Sequence, residues 1–269
     1  MTGGRTRRDE RAELTSPTKP SMTAELAAAV VLALVAVAVQ TSMGFGTALI
    51  FVPAATLIVG PQAAVATMLV VIPSVGAVLY AIDHPRTPLL DAAPAALLSL
   101  IGVPAGVWLL TQSDEDVLRL LVGFAVLGAV VANLLAARGA ETPHERSLPR
   151  MTLAGLISGV MRGTTSMGGP PLVLYFHWLG GGAARFRSRM FSYGAVSGLP
   201  SVAIAAVGGV FNSDTTPVVA WGLAGAAVGI VVGRRLRWWI TDARLRRLSM
   251  VLLAGTSLLA IATAASALL

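Results

Sequence analysis

The tetrapeptide Thr-Ser-Met-Gly occurs twice, at 41–44 within VAVAVQTSMGFGTALIFVP and at 165–168 within RGTTSMGGPPLVLYF, and both copies interrupt long apolar runs. Glycine and proline weaken a helix, and serine and threonine hydroxyls can bond the backbone groups that a break releases. In hydrocarbon such a break is tolerated only where protein or a water-filled cavity surrounds it. A helix that restarts after the break aims free N–H groups and the positive end of its dipole at that cavity. Pro170 and Pro171 suit the first turn of such a helix, where a missing N–H costs little. Two breaks facing each other would make a small cradle for an oxyanion. Its lining would be Gln40, Thr41, Ser42, Gly44 and Gly46 from the first copy, and Thr165, Ser166, Gly168 and Gly169 from the second. Bulk at Gly44 or Gly168 would fill it.

Arg162 stands just before the second copy, between LAGLISGVM and GTTSMGG. A charge inside a membrane segment is costly and marks a functional candidate by default. It is read here as an anion contact; the competing reading is a side chain that snorkels to the surface near Arg150. His177 could relay a proton, but its place beside Trp178 favours an interfacial role. Asn133, and Gln40 in its default role, bond between helices. Asp83 and Asp91 fall at the ends of apolar blocks, in water. Gly102/Gly106 and Gly225/Gly229 read as small-residue packing faces. Trp238 and Trp239, among arginines, read as an interfacial anchor.

Several chemistries are excluded. No acidic pair lies inside an apolar block, which argues against a cation antiporter that uses intramembrane carboxylates. The chain has no cysteine, so disulfides, thiolate metal sites and persulfide transfer are out. His84, His144 and His177 make no ligand-spaced pair, and there is no nucleotide loop or nucleophile elbow. The expectation is no enzyme, no metal and no cofactor. The net charge of +7 does not point to nucleic acid, because the arginines lie in short clusters between apolar blocks, where they orient a membrane protein.

These residues must be positioned by membrane helices. Of 269 residues, 55% are hydrophobic and 12% charged, against about 25% charged in a soluble domain; mean hydropathy is +0.76. A crossing needs roughly 20 apolar residues. The blocks run Ala24–Gly60, Gln62–Ile82, Pro88–Thr111, Val117–Ala137, Met151–Gly180, Met190–Phe211, Pro217–Gly233 and Leu245–Leu269. Residues 1–23 read as a disordered polar tail, and the apolar run after Arg7-Arg8 as a retained first helix rather than a cleaved signal. The first and fifth blocks are too long for one crossing, and they hold the two tetrapeptides. Simple alternation of eight crossings would split the arginine-rich linkers between the two sides. If Met151–Gly180 goes in and returns, breaking within 163–171, all of them face the cytoplasm.

Further matches join the halves. The tetrapeptides are 124 residues apart, GVPAG and GAAVG 123, and LRLLVGFAVL and LRRLSMVLLA 127. The expected fold is an all-α polytopic membrane protein of two inverted repeats. Each repeat has a broken motif segment and three helices, giving about eight apolar blocks and up to ten crossings. The first repeat is 24–137, a cytoplasmic linker 138–150, and the second repeat 151–269. A fold-back of Ala24–Gly60 would complete the symmetry but leave the basic tail outside, so that point stays open.

TSMGFGTALIFVP and RGTTSMGGPPLVLYF, with the arginine-rich joins and a repeat of this length, resemble the sulfite exporter TauE/SafE family of membrane permeases. The resemblance spans nearly all of the chain after the tail. It implies transport of sulfite or an organosulfonate across the cytoplasmic membrane, with a small anionic substrate and the lipid bilayer as partners. An anion channel and a non-transporting scaffold or assembly factor are the alternatives. The sequence allows a homo-oligomer.

Overall fold

The computed structural model describes residues 22–82, 88–138 and 144–236. Among these, every regular element is helical. In chain order they are α1 (Met22–Met43), α2 (Thr47–Val59), α3 (Pro61–Ile82), a 3₁₀ turn (Leu89–Asp91), α4 (Ala93–Gln112), α5 (Glu115–Arg138), α6 (Leu148–Thr165), α7 (Gly169–Trp178), α8 (Gly182–Val207) and α9 (Thr215–Leu236). The expectations for the tail, Asp83, Trp238, Trp239 and Leu245–Leu269 fall outside the described residues, apart from the tail's last two positions, which already belong to α1. Among the described residues, α1, α3, α4, α8 and α9 are long and apolar enough to cross a membrane, and α2 is a shorter apolar helix. Large apolar side chains such as Ile101, Trp108 and Leu199 are exposed. In water they would be a liability; on a membrane helix they are the lipid-facing surface.

Both overlong blocks are broken, each by three residues: 44–46 between α1 and α2, and 166–168 between α6 and α7. In the second block the chain comes back to where it entered. Arg150, in the first turn of α6, lies 4.4 Å from the ring centroid of Trp178 at the end of α7, and His144 stacks on the same indole.

Glycines set the helix directions. A Cβ on Gly102 would meet the backbone of α6 at Leu156 and Gly159, and one on Gly106 would meet it at Val160 and Gly163. Residue numbers rise together, so α4 and α6 run parallel with their backbones in contact. The same holds for α9 on α1, where Gly225 sits against Val30, Gly229 against Leu34 and Gly233 against Ala38. Helices α3 and α8 pair in the opposite sense, Gly76 on Gly194 and Pro73 on Gly198. Without a hydrophobic driving force between helices, this close approach of small residues is what holds membrane helices together.

One end of the bundle gathers three linkers through charge. The Arg189 Nε donates to Asp91 at 2.8 Å and its terminal nitrogen to the Gly180 carbonyl at 2.7 Å, while Arg146 pairs with the other carboxylate oxygen of Asp91. Asp91 is therefore ion-paired and half-buried, not simply wet. Burial pushes its carboxyl up, but the hydrogen bond and charge of Arg189, with Arg146, outweigh this and hold it below the usual value. Helix α8 begins eight residues before the apolar block Met190–Phe211 suggests. Its first turns carry Arg185, Arg187 and Arg189, and the Asp91 pair stabilises the last of these inside the helix. At the opposite end lie the turns from α4 to α5 and from α8 to α9, with Glu115 and Asp214.

Candidate functional site

The two breaks meet. A cavity of about 50 Å³ is lined by residues 44–49 of the first, 166–170 of the second, and by α3 and α8. A single water needs roughly 10–15 Å³, so the space suits about four waters or a small oxyanion of similar bulk.

At the first break, Gly44 (φ 91°) closes α1 in the left-handed conformation, and its N–H donates to the Gln40 carbonyl at 2.7 Å. This is the single-bond form of a left-handed helix cap. A Cβ here would lie 2.9–3.2 Å from Arg187 of α8, so glycine is required on both counts. Helix α2 then starts from Gly46, which offers no side-chain cap; the first intrahelical bond is from Ile50 N–H to the Gly46 carbonyl. The amides of Thr47, Ala48 and Leu49 therefore have no intrahelical acceptor, and all three residues line the cavity.

At the second break the residue in the left-handed region is Ser166 (φ 58°), the one non-glycine residue with positive φ among those described. Its N–H donates to the Arg162 carbonyl at 2.9 Å, and its hydroxyl donates to the Val65 carbonyl of α3 at 2.9 Å. That second bond ties a backbone an L-residue rarely adopts to a neighbouring helix. Helix α7 starts at Gly169 with Pro170 and Pro171 next, and prolines have no N–H. The start of α7 thus offers one amide where α2 offers three.

The charge comes from Arg162. It is 6% exposed and lines the cavity, so it does not snorkel to the surface. Among the described residues no carboxylate lies within ion-pairing distance. Its guanidinium carbon lies 4.6 Å from the centroid of the Tyr193 ring. Across the cavity, Gln40 accepts a hydrogen bond on its side-chain oxygen from the Thr47 hydroxyl.

Of the residues singled out from the sequence, Gln40, Gly44, Gly46, Arg162, Ser166, Gly168 and Gly169 line the cavity. Thr41, Ser42 and Thr165 do not. Their hydroxyls turn back onto their own helices, bonding the carbonyls of Val37, Ala38 and Met161. Gly168 also has a packing duty, since a Cβ there would meet the Ser158 carbonyl at 2.6 Å. His177 is exposed, packs on Phe186 and lies away from the cavity. Thr47, Met190 and Tyr193 line it without having been singled out. A lone tyrosine or threonine in an apolar run carries no spacing signal, so only the packing of α8 and the start of α2 reveal them.

The register of the site also differs from that of the repeated tetrapeptide. The breaks, their left-handed residues and the helices that follow are 122 residues apart: 44 and 166, 46 and 168, 47 and 169. In this register Gln40 stands where Arg162 stands, and the TSMG copies are two residues out of step.

The family model for the sulfite exporter TauE/SafE matches residues 29–260. No match was found among curated proteins or among solved structures.

Proposed function

Because the chain belongs to the sulfite exporter TauE/SafE family, we propose that it is a secondary transporter moving a small oxyanion, sulfite or an organosulfonate, across the cytoplasmic membrane. The observation that carries this reading is Arg162: a buried guanidinium with no carboxylate partner among the described residues, on a cavity also lined by the three residues of α2 whose amides have no intrahelical acceptor. A cation and a helix N-terminus aimed at one small space favour a negative ligand. Arginine's planar fork suits an oxyanion with several acceptor oxygens.

The two halves are read as inverted repeats meeting at this site. The common 122-residue register supports this. So does the exchange of partners, since α9 runs along α1 as α4 runs along α6, while α3 and α8 pair antiparallel. Such a site, between broken helices at a repeat interface, is where many secondary transporters hold their substrate. The reading takes the end with Arg146 and Arg189 as cytoplasmic, by the positive-inside rule.

The test is sulfite flux into vesicles reconstituted with wild type, Arg162→Lys and Arg162→Ala. A hydrogen bond to a charged group contributes roughly 1.5–3 kcal/mol, so Arg162→Ala should weaken sulfite affinity about tenfold to a hundredfold. Arg162→Lys keeps the charge but loses the fork and should recover only part of it. Saturation and trans-stimulation identify a transporter rather than a channel. Normal flux in both variants, with normal protein abundance, would refute the assignment.

A further inference from the structure

Among the described residues no carboxylate holds Arg162 in place, and what does hold it bears on what it can bind. A buried guanidinium with no acceptor is costly. A carboxylate partner would offset that cost, but it would occupy two of the five N–H donors that an oxyanion needs. The neighbour is instead the ring of Tyr193, 4.6 Å from the guanidinium carbon. Its face attracts the cation through the ring quadrupole, more strongly when both are out of water, and presents no lone pair to the N–H groups. Tyr193 is itself anchored. Its hydroxyl is 2.8 Å from the Ser158 hydroxyl, and Ser158 donates to the Gly168 carbonyl at the turn between α6 and α7. Ser158 has one proton and gives it to Gly168, so the Tyr193 hydroxyl is the donor in the shared bond. Tyr193 is 2% exposed and Ser158 fully buried.

We propose that Tyr193 is the positioning residue of the anion site: its ring holds the Arg162 guanidinium toward the cavity while leaving the N–H donors free for a pyramidal or tetrahedral oxyanion. The chain Tyr193–Ser158–Gly168 fixes that ring to the backbone of the second break. The inference rests on Arg162 being the anion contact, as proposed above. It adds that Arg162 binds well only with an aromatic face behind it.

The experiment measures sulfite binding at fixed pH by calorimetry on the purified full-length protein in detergent, with the thermal midpoint of each variant recorded in parallel. Tyr193→Phe and Tyr193→Trp keep the face. The first should bind within about threefold of wild type, because Ser158 retains Gly168 as its acceptor. Tyr193→Leu and Tyr193→Met keep apolar bulk but lose the face, and should bind about fivefold to thirtyfold more weakly. Aromatic rescue is the outcome that a packing role does not give. Leu or Met variants that fold and bind like wild type overturn the proposal. So does a Phe variant as weak as the Leu variant, which would assign the effect to the hydroxyl. If Arg162→Ala loses sulfite while Tyr193→Leu does not, this proposal falls and the transporter site stands. If Arg162→Ala binds sulfite normally, both fall.

Discussion

Gly163→Ala should destabilise the protein, while Gly128→Ala should leave it unchanged or improve it. The two glycines are both helical, but their surroundings differ. A Cβ on Gly163 would lie 2.4 Å from the Val103 carbonyl oxygen, 2.7 Å from the Val107 nitrogen and 2.8 Å from the Gly106 carbonyl carbon, all backbone of α4; a Cβ on Gly128 would meet nothing within 4 Å. Ordinary contact begins near 3.4 Å, so α6 must withdraw from α4 by about 1 Å, and a gap of roughly 0.5–1 Å forfeits a quarter to a half of a dispersion contact. Overpacking of this kind costs about 1–3 kcal/mol. On the scale of soluble proteins of this size, that lowers the unfolding midpoint by roughly 2–12 °C. At Gly128 only the helix-propensity gain remains, up to about 1 kcal/mol in favour of alanine. Arg162 adjoins Gly163, so the displaced helix should also bind sulfite more weakly. The assay is thermal unfolding in detergent for both variants, followed by sulfite binding. Equal midpoints for the two would refute the claim that α4 and α6 touch through their backbones.

Gly169→Ala should weaken sulfite binding with little change in thermal midpoint, because its Cβ would meet only Met190 at 3.9 Å yet would stand at the cavity wall; Gly168→Ala should instead unfold at lower temperature, and equal behaviour of the two would count against this division of roles. Asp91 contributes stability above the usual carboxylate value of 3.8 and loses it as pH falls through its lowered value in the folded protein. Acid should therefore lower the unfolding midpoint of wild type more than that of Asp91→Asn, and parallel acid profiles would argue against the ion pair. The chain lacks cysteine, so single cysteines report sidedness directly. Those replacing Thr23, Glu115 and Asp214 should react from one side of the membrane and those replacing Glu145 and Arg185 from the other, an arrangement refuted if Thr23 or Glu115 labels together with Arg185.

Charge and block length made much of this legible in the sequence. Two blocks were overlong, and both are broken. Arg162 stood out because an arginine among glycines in an apolar run has few other uses. The glycine pairs at 102/106 and 225/229 were legible as packing faces, although not which helix each would meet. The repeated tetrapeptide pointed to the right places in the wrong register. What ends α1 is Gly44, the fourth residue of its copy, and what ends α6 is Ser166, the second of its own. A serine can take the left-handed turn there because α3 offers the Val65 carbonyl to its hydroxyl, and no local pattern announces a partner a hundred residues away. Tyr193 was hidden for the same reason. Placing Gly44 and Gly168 as equivalents also obscured that both are held by packing, so a leucine at either would test folding before it tested the cavity.

The exchange of partners between the halves has a consequence for how the chain is made. Helix α1 is the first of the described helices to be synthesised, yet the glycine face it fits belongs to α9, the last of them; α4 likewise awaits α6. A nascent chain that has inserted only through α5 therefore has its first break with neither α6, α7 nor α9 around it, and a break in lipid is tolerated only under cover. The pairing of α1 with α9 and of α4 with α6 can form only once the later helix of each pair has been made. Two fragments divided within 139–143 and produced together should then recover the site, and either one alone should be cleared from the membrane.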